Sequence, residues 1–319
     1  MLALLNRVIL LLLLLISLNS HSLDRLEDLT DLQIQEAALA FINLTTSPGI
    51  EGLNLSLAQP QRESSIARSS LGFSADFSLR DWPVDGHWGA ALIQGQLDEG
   101  LMFIGRNDVP VLLAVDRDIM GIRGSFGVVI PITEHFKLRP FVSAIYTQTE
   151  TFSYLIEGRA NVDVHFPTDK PEFLTHFSST GMTGSLQAEY KHWIKRRYRT
   201  QFLAHYNLNY SDTHSQEFEH LNTWGWSQTL VLKSEISTKL NWHSFNRPWR
   251  VKAYLNYHDF INQSELALGF THYYELGGGM SWEWNIKPLD WFGVKSVGLS
   301  AGLIFGDTLE GFNIGLTGQ

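Results

Sequence analysis

The sequence predicts an all-β protein, an antiparallel transmembrane β-barrel of about twelve strands with a short N-terminal helix ahead of it. Three observations carry this. From Leu71 onward apolar and polar residues alternate one by one along most of the chain, and a period of two is that of a β-strand. Several runs outlast the roughly 9 to 11 residues that a tilted strand needs to cross a bilayer, whereas an ordinary strand has about 5 or 6. Trp82, Trp193, Tyr198, Trp224, Trp249, Trp291 and Phe292 fall at or near the ends of these runs, where membrane barrels carry their aromatic girdles.

Residues 181–211 read as one long hairpin. Met182, Leu186, Ala188, Tyr190 and Ile194 share a face of its first arm, and Thr183, Ser185, Gln187, Glu189 and Lys191 share the other. After Lys195, Arg196 and Arg197 the second arm sets Phe202, Ala204, Tyr206, Leu208 and Tyr210 against Arg199, Gln201, His205, Asn207, Asn209 and Ser211. An apolar outside with a wet inside is what a membrane barrel demands. Alone, the stretch also fits a soluble β-sandwich, and the rest of the chain decides between them.

Residues 1–22 have the form of a secretory signal peptide: Arg7 is followed by an apolar run too short for a membrane anchor, with Ser20 and Ser22 placed for cleavage. Residues 23–44 are the one helix-like segment. Leu26, Leu29, Leu32, Leu39 and Ile42 recur at three- and four-residue steps, and Asp24, Glu27, Asp28 and Asp31 come early, as suits a helix N-terminus. Residues 45–70, with Pro48, Gly49, Gly52, Pro60 and a Ser-rich end, read as a linker holding one short strand at 53–57. The chain thus divides into a leader (1–22), a helix with linker (23–70) and a barrel (71–319).

Within the barrel, strands are expected at 71–79 and 87–97, and then a long loop over 98–118 with at most a short strand. Three strands joined by tight turns follow at 120–132, 136–146 and 152–166, although Pro140 in the second cannot donate to a ladder. A loop over 167–179 precedes the hairpin, and another follows it over 212–221. Further strands are expected around 224–235, 249–257, 297–305 and 312–316, with the even-phase run 266–286 readable as one strand or two across Gly277, Gly278 and Gly279. Counted as one, it makes about twelve, an even number as single-chain barrels require.

The composition excludes several classes. The chain has no Cys, so a disulfide scaffold, a thiol nucleophile and a thiolate metal site are out. A formal charge of −9 argues against a nucleic-acid partner, which needs a basic face. After the leader no continuous apolar span remains, so a membrane must be crossed by strands. A mean hydropathy of −0.08 is compatible with that, because lipid-facing and lumen-facing residues average out.

The run Tyr274 to Trp282, with Gly277, Gly278 and Gly279 at its centre, and the closing hairpin Leu303 to Phe312, turning at Gly306, Asp307 and Thr308, resemble the outer-membrane barrel domain of autotransporters. The likeness is nearer to the solitary, passenger-less group and covers residues 71–319. It implies a twelve-stranded barrel with a helix before or inside the lumen, for which residues 23–44 are the candidate. It also implies lipopolysaccharide, outer-membrane lipid and the barrel assembly machinery as partners. The chain departs from the family in ending Thr317, Gly318, Gln319 rather than on an aromatic residue, and residues 23–70 leave no room for a displayed passenger.

Two sets of residues offer a rival, catalytic reading. Tyr146, Thr147 and Gln148 with His243, Ser244, Phe245 and Asn246 resemble the Ser-His-Asn group of the outer-membrane phospholipase. A serine mechanism needs histidine within hydrogen-bond reach of the hydroxyl, while neighbours in a strand point to opposite faces. His258 with Asp259 resembles the pairs of outer-membrane proteases, and Asp212 with His214, or His165, His176 and His220, lack ligand spacing for a metal. The expectation is therefore a non-catalytic outer-membrane barrel with no cofactor and no metal, acting as a structural, assembly or narrow-channel component; the rival is an outer-membrane hydrolase. The inward-facing Arg123, Lys137, Arg139, Glu157, Arg159, Asp163, Glu189, Lys191, Arg199, Lys233, Glu235, Arg250 and Lys252 carry both signs, which predicts cross-bracing pairs rather than a ring of one sign. A helix at 23–44 docked in the lumen would add a plug, and its deletion would raise conductance.

Overall fold

Twelve antiparallel strands close on themselves in a computed structural model, which describes residues 49–59, 62–79, 82–104, 110–157, 172–195, 197–215, 222–244, 247–261, 269–283 and 296–318. In chain order they are β1 (Gly49–Gln59), β2 (Arg62–Ser78), β3 (Asp85–Ile104), β4 (Pro110–Pro131), β5 (Phe136–Glu157), β6 (Glu172–Ile194), β7 (Tyr198–Ser215), β8 (Thr223–Ser244), β9 (Arg247–Ile261), β10 (His272–Glu283), β11 (Ser296–Phe305) and β12 (Leu309–Gly318). Each pairs with its neighbours in sequence, and β1 pairs with β12 from Gly49↔Thr317 to Leu57↔Leu309. Closure leaves no sheet edge unpaired.

The register fixes the shape. Followed perpendicular to the strands from Ala188 of β6 through Ala204, Leu232, Tyr257, Tyr274, Phe305, Glu310, Ser56, Ser65, Asp98, Asp116 and Phe152, the pairing returns to β6 at Leu174. That displacement of about 14 residues over the circuit tilts the strands by roughly 40°. Both ends of the barrel sequence, Gly49 and Gly318, lie at one mouth, here the terminal end, and the β1–β2, β9–β10 and β11–β12 connections lie at the other, the loop end.

The wall is inside-out relative to a soluble protein. Met120, Ile122, Phe126, Met182, Leu186, Phe202, Leu276, Leu299, Leu303 and Ile314 stand exposed on the outer face, while Ser143, Thr183, Asn207, Asn209 and Asn256 are buried within. Outward apolar surface on this scale needs a non-aqueous partner. Aromatic groups border it at both ends. At the terminal end Trp242, Trp249 and Trp282 stack at 5.9 and 6.3 Å, with the indole N–H groups of Trp249 and Trp282 donating to Ser244 Oγ and Ser244 O. Toward the loop end Tyr210 meets Trp226 at 5.1 Å, and Tyr257, Tyr274 and Phe305 form a second row. Trp249 and Tyr257 sit on one face of β9, and a rise of about 3.4 Å per residue at that tilt puts roughly 20 Å between the rows. That is close to the apolar band of about 25 Å of a membrane barrel.

Several boundaries differ from those expected. The barrel begins at Gly49, not Leu71: the short strand expected at 53–57 is the middle of β1, and the linker composition of 49–70 hides the rest of it and the start of β2. In β1 the phase is inverted, with Leu53, Leu55 and Leu57 buried inward and Ser56 exposed. Residues 98–104 and 110–118, expected in a long loop, are the end of β3 and the start of β4, where Asp98 and Asp118 point outward and Glu99 and Arg117 inward. Likewise 136–157 is the single strand β5 with no turn at 147–151, β6 starts at Glu172, and β7 runs to Ser215. Above the apolar band the outer face is wet like the inner one, so alternation disappears from the sequence while the strand continues. Any strand from 158 to 166 lies outside the described residues, as do residues 1–22 and the helix expected at 23–44.

Pro140 is accommodated within β5. On the β4 side the pairing passes from Gly127↔Phe141 to Ile130↔Leu138, while on the β6 side Pro140↔Leu186 is kept. The missing N–H is thus absorbed by a local break in one ladder. Of the ambiguous run 266–286 the described residues 269–283 hold one strand, β10, with Gly277 inside it. A Cβ at Gly277 would strike the ring of Tyr254, whose hydroxyl donates to Glu275 Oε1 at 2.9 Å. Gly277→Val is expected to displace that ring and cost about 2 kcal/mol, seen as a lower urea midpoint for the detergent-solubilised barrel.

Candidate functional site

The barrel's polar chemistry is gathered in its lumen, and it changes character along the axis. Beyond the apolar band, Arg117 and Glu99 of β4 and β3 pair at 3.3 Å, both buried, and Ser64 Oγ donates to the same carboxylate. Below them is an apolar collar. Leu53, Leu55 and Leu57 of β1, Val231 of β8, Phe260 of β9, Phe270, Tyr273 of β10, Ile304 of β11 and Leu309 of β12 form one buried cluster with Ile66 packed against it. Strands four and five places apart round the wall share this cluster, so it reaches across the lumen.

The collar depends on how the chain enters β10. Gly269 has φ +81°, a region L-residues avoid, and a Cβ there would collide with Leu57. Thr308 Oγ1 donates to Gly269 O at 2.8 Å and Phe260 N–H to Thr271 O at 2.9 Å. Phe270 is thereby turned inward, edge-on to Phe260 at 5.4 Å. Gly269→Ala is expected to cost about 1–2 kcal/mol from backbone strain alone, measurable as a shifted unfolding midpoint. On the opposite wall Ile93, Ile119 and Ile145 of β3, β4 and β5 form a second apolar group.

Between these groups, β6, β7 and β8 carry a hydrogen-bonded ladder. Ser179 meets Thr213 at 2.8 Å, Thr183 donates to Asn209 at 2.8 Å, Ser185 to Asn207 at 2.7 Å, and Asn207 on to Thr229 at 3.0 Å. Glu275, nearly fully buried, accepts from Tyr254, Asn256 and Asn313. Paired in this way, buried polar groups are stable and hold the wall rigid.

Nearer the terminal end the lumen opens into a cavity of about 190 Å³, lined by His87, Arg123, Arg139, Phe141, Gln187, His205 and Lys233 among others. Arg123 donates to Ser143 at 3.0 Å. Asp76 at the rim takes Arg139 at 2.9 Å and His87 Nδ1 at 2.6 Å. Phe141 lies between the two imidazoles, 5.8 Å from His87 and 5.4 Å from His205. At the terminal mouth charges pair again: Glu189 with Lys191 at 2.7 Å, Glu235 with Arg199 and Lys252 at 3.6 and 3.7 Å, and Glu283 with Lys239 and Arg250 at 3.1 and 3.4 Å.

The expected cross-bracing therefore exists, but not everywhere. Arg139, Glu189, Lys191, Arg199, Glu235, Arg250 and Lys252 are paired, with Asp76 and Glu283 as partners that the sequence had not singled out. Among the described residues, no carboxylate pairs with Arg123 or Lys233. Arg159 and Asp163 lie outside those residues. The two-residue phase could have found Glu99, Arg117 and Glu275; nothing local in the sequence shows that Leu53, Leu55 and Leu57 meet Phe270.

The hydrolase candidates are not brought together. Tyr146 to Gln148 sit midway along β5, whereas His243 is at the terminal end of β8 with its Nδ1 3.1 Å from Asn241 O. Ser244 Oγ accepts from Trp249 instead of meeting that histidine. His258 is buried inward and stacked on Tyr273 at 4.4 Å. Asp212 and His214 pair at 3.4 Å. Among the described residues no group of three His, Cys, Asp or Glu is placed to hold a metal.

No protein-family model matches the sequence, and no curated protein matches it. Solved structures do. The beta domain of the Bordetella autotransporter Brka superposes with a TM-score of 0.54 at 11% identity, over 85% of this chain and 98% of that one. The translocator domain of autotransporter NalP from Neisseria meningitidis gives 0.52 at 9% identity, over 89% and 92%. The architecture is thus similar to that of autotransporter translocator domains, a closed twelve-stranded barrel, and at these identities the likeness is one of fold.

Proposed function

We propose that the protein is an integral outer-membrane β-barrel, exported behind residues 1–22, that carries no catalytic site and serves as a structural or narrow-channel component held closed at rest. The observation that carries this is the exposed apolar wall, bordered by aromatic rows at both ends, around a lumen that holds the polar chemistry. An even strand number keeps both barrel ends on one side, and a chain inserted from the periplasm leaves them there. The collar then lies toward the cell surface and the basic cavity toward the periplasm. Lipopolysaccharide and lipid meet the outer wall, and the barrel assembly machinery is the partner during insertion. The membership of the solitary autotransporter-like group rests on the sequence resemblance and the shared fold.

Membrane fractionation with planar-bilayer recording tests the reading. The protein should partition with the outer membrane, migrate differently on gels before and after boiling, and show little conductance in its native form. Recovery in the soluble periplasmic fraction contradicts it, as does lipase or peptidase activity of the purified barrel that His243→Ala abolishes.

A further inference from the structure

We propose that the cavity at the terminal half of the lumen is a binding site for a soluble phosphate-type oxyanion. The inference goes beyond the closed-barrel reading and stands whether or not the barrel conducts. Although the chain as a whole carries a formal charge of −9, the charged groups that line this cavity are all cations, Arg123, Arg139 and Lys233, beside the imidazoles of His87 and His205. Asp76 is the carboxylate bonded there, it sits at the exposed rim, and it is engaged by Arg139 and His87. Arg123 is 8% exposed and His205 5% exposed.

A buried cation without a counter-charge is strongly unfavourable, and elsewhere along this lumen Glu99, Glu189, Glu235 and Glu283 supply the counter-charge. Among the described residues no carboxylate does the same for Arg123 or Lys233. Buried nitrogens are left over as well: Arg139 Nε, a donor, and His205 Nε2 have no hydrogen-bond partner among the described residues. A bound anion supplies both the charge and the acceptors.

The geometry selects the kind of anion. Arg123 comes from β4, Arg139 from β5, Gln187 from β6, His205 from β7 and Lys233 from β8, so donors approach from a wide arc of wall rather than in one plane. That suits a tetrahedral oxyanion with acceptors in all directions better than a planar carboxylate, and guanidinium groups match phosphate geometry well. A cavity of about 190 Å³ accommodates inorganic phosphate and the phosphate end of a small solute.

The test is titration calorimetry of the full-length barrel in neutral detergent with inorganic phosphate, and separately with a short-chain phosphatidic acid. Phosphate should bind. The Arg123→Gln/Lys233→Gln variant should lose at least about ten-fold in affinity, as expected when charge-assisted bonds are removed. Asp76→Asn, which frees Arg139 and His87, should bind more tightly, a gain that structural damage does not produce. Arg197→Gln, in the exposed β6–β7 turn, should bind like wild type, and heat-modifiable mobility checks that each variant has folded. Absence of phosphate binding by the native barrel, equal binding by the double variant, or binding of the phosphatidic acid alone overturns the proposal.

Discussion

Replacing Leu57 and Phe270 together by alanine is expected to convert a nearly silent barrel into a conducting one, with single-channel conductance rising by about an order of magnitude. Both side chains belong to the buried cluster that links β1 to β8 and β9, and a narrow apolar constriction blocks ions by excluding water from its neck. Truncating two of its members widens and wets that neck. The barrel should survive, because the ladders of β1 with β12 and β2 are made by backbone groups. The collar also changes the expectation for residues 23–44. If that segment plugs the lumen, plug and collar are barriers in series, and deleting 24–44 alone should raise conductance far less than the deletion combined with the two substitutions.

The second large effect is on stability. Glu275→Gln is expected to cost about 3 kcal/mol, measured as a fall in the urea midpoint at constant slope. The carboxylate accepts from Tyr254 Oη at 2.9 Å, Asn256 Nδ2 at 2.9 Å and Asn313 Nδ2 at 3.3 Å. Its amide replacement offers one acceptor in place of two and turns a donor toward donors. Glu275→Asp, too short to reach all three, should fall between. An unchanged midpoint would mean that the network does not brace β9, β10 and β12.

How much of this was written in the sequence can be followed residue by residue. Where lipid lies outside and polar groups lie inside, as from Met182 to Tyr190, alternation is complete, and the strands, their facing and their aromatic ends were all readable. Once β3, β4 and β5 pass beyond the band, Asp98, Asp118 and Glu150 face out with polar or charged residues also facing in. Contrast vanishes there, so 98–118 looked like a loop and β5 looked like two strands. The count of about twelve agreed with the structure because 136–157 was counted as two strands while the short strand at 53–57 was counted with the linker and not with the barrel.

β1, legible only as a short strand of the linker at 53–57, was kept out of the barrel for a second reason. Its leucines face the lumen, the reverse of the rule used to recognise the others, and their partners Val231, Phe260 and Phe270 are brought near only by closure of the barrel. The cationic cavity is similar: Arg123, Arg139 and Lys233 were correctly placed on the inner face, but that Asp76 reaches Arg139 and that Arg123 and Lys233 go without a carboxylate is decided by register.

The claim on which the rest depends is that the outer wall faces lipid, and the absence of Cys from the chain allows a direct measurement. Single substitutions Ile122→Cys, Leu186→Cys and Leu299→Cys, at exposed apolar positions of the wall, and Asp118→Cys, exposed on β4 beyond the band, would be reconstituted into liposomes with water-soluble maleimide on both sides of the bilayer. The three wall positions should remain unlabelled until a lipid-soluble maleimide is supplied, while Asp118→Cys should label at once. Rapid labelling of the wall positions by the water-soluble reagent would contradict the account, because it would show that this surface meets water.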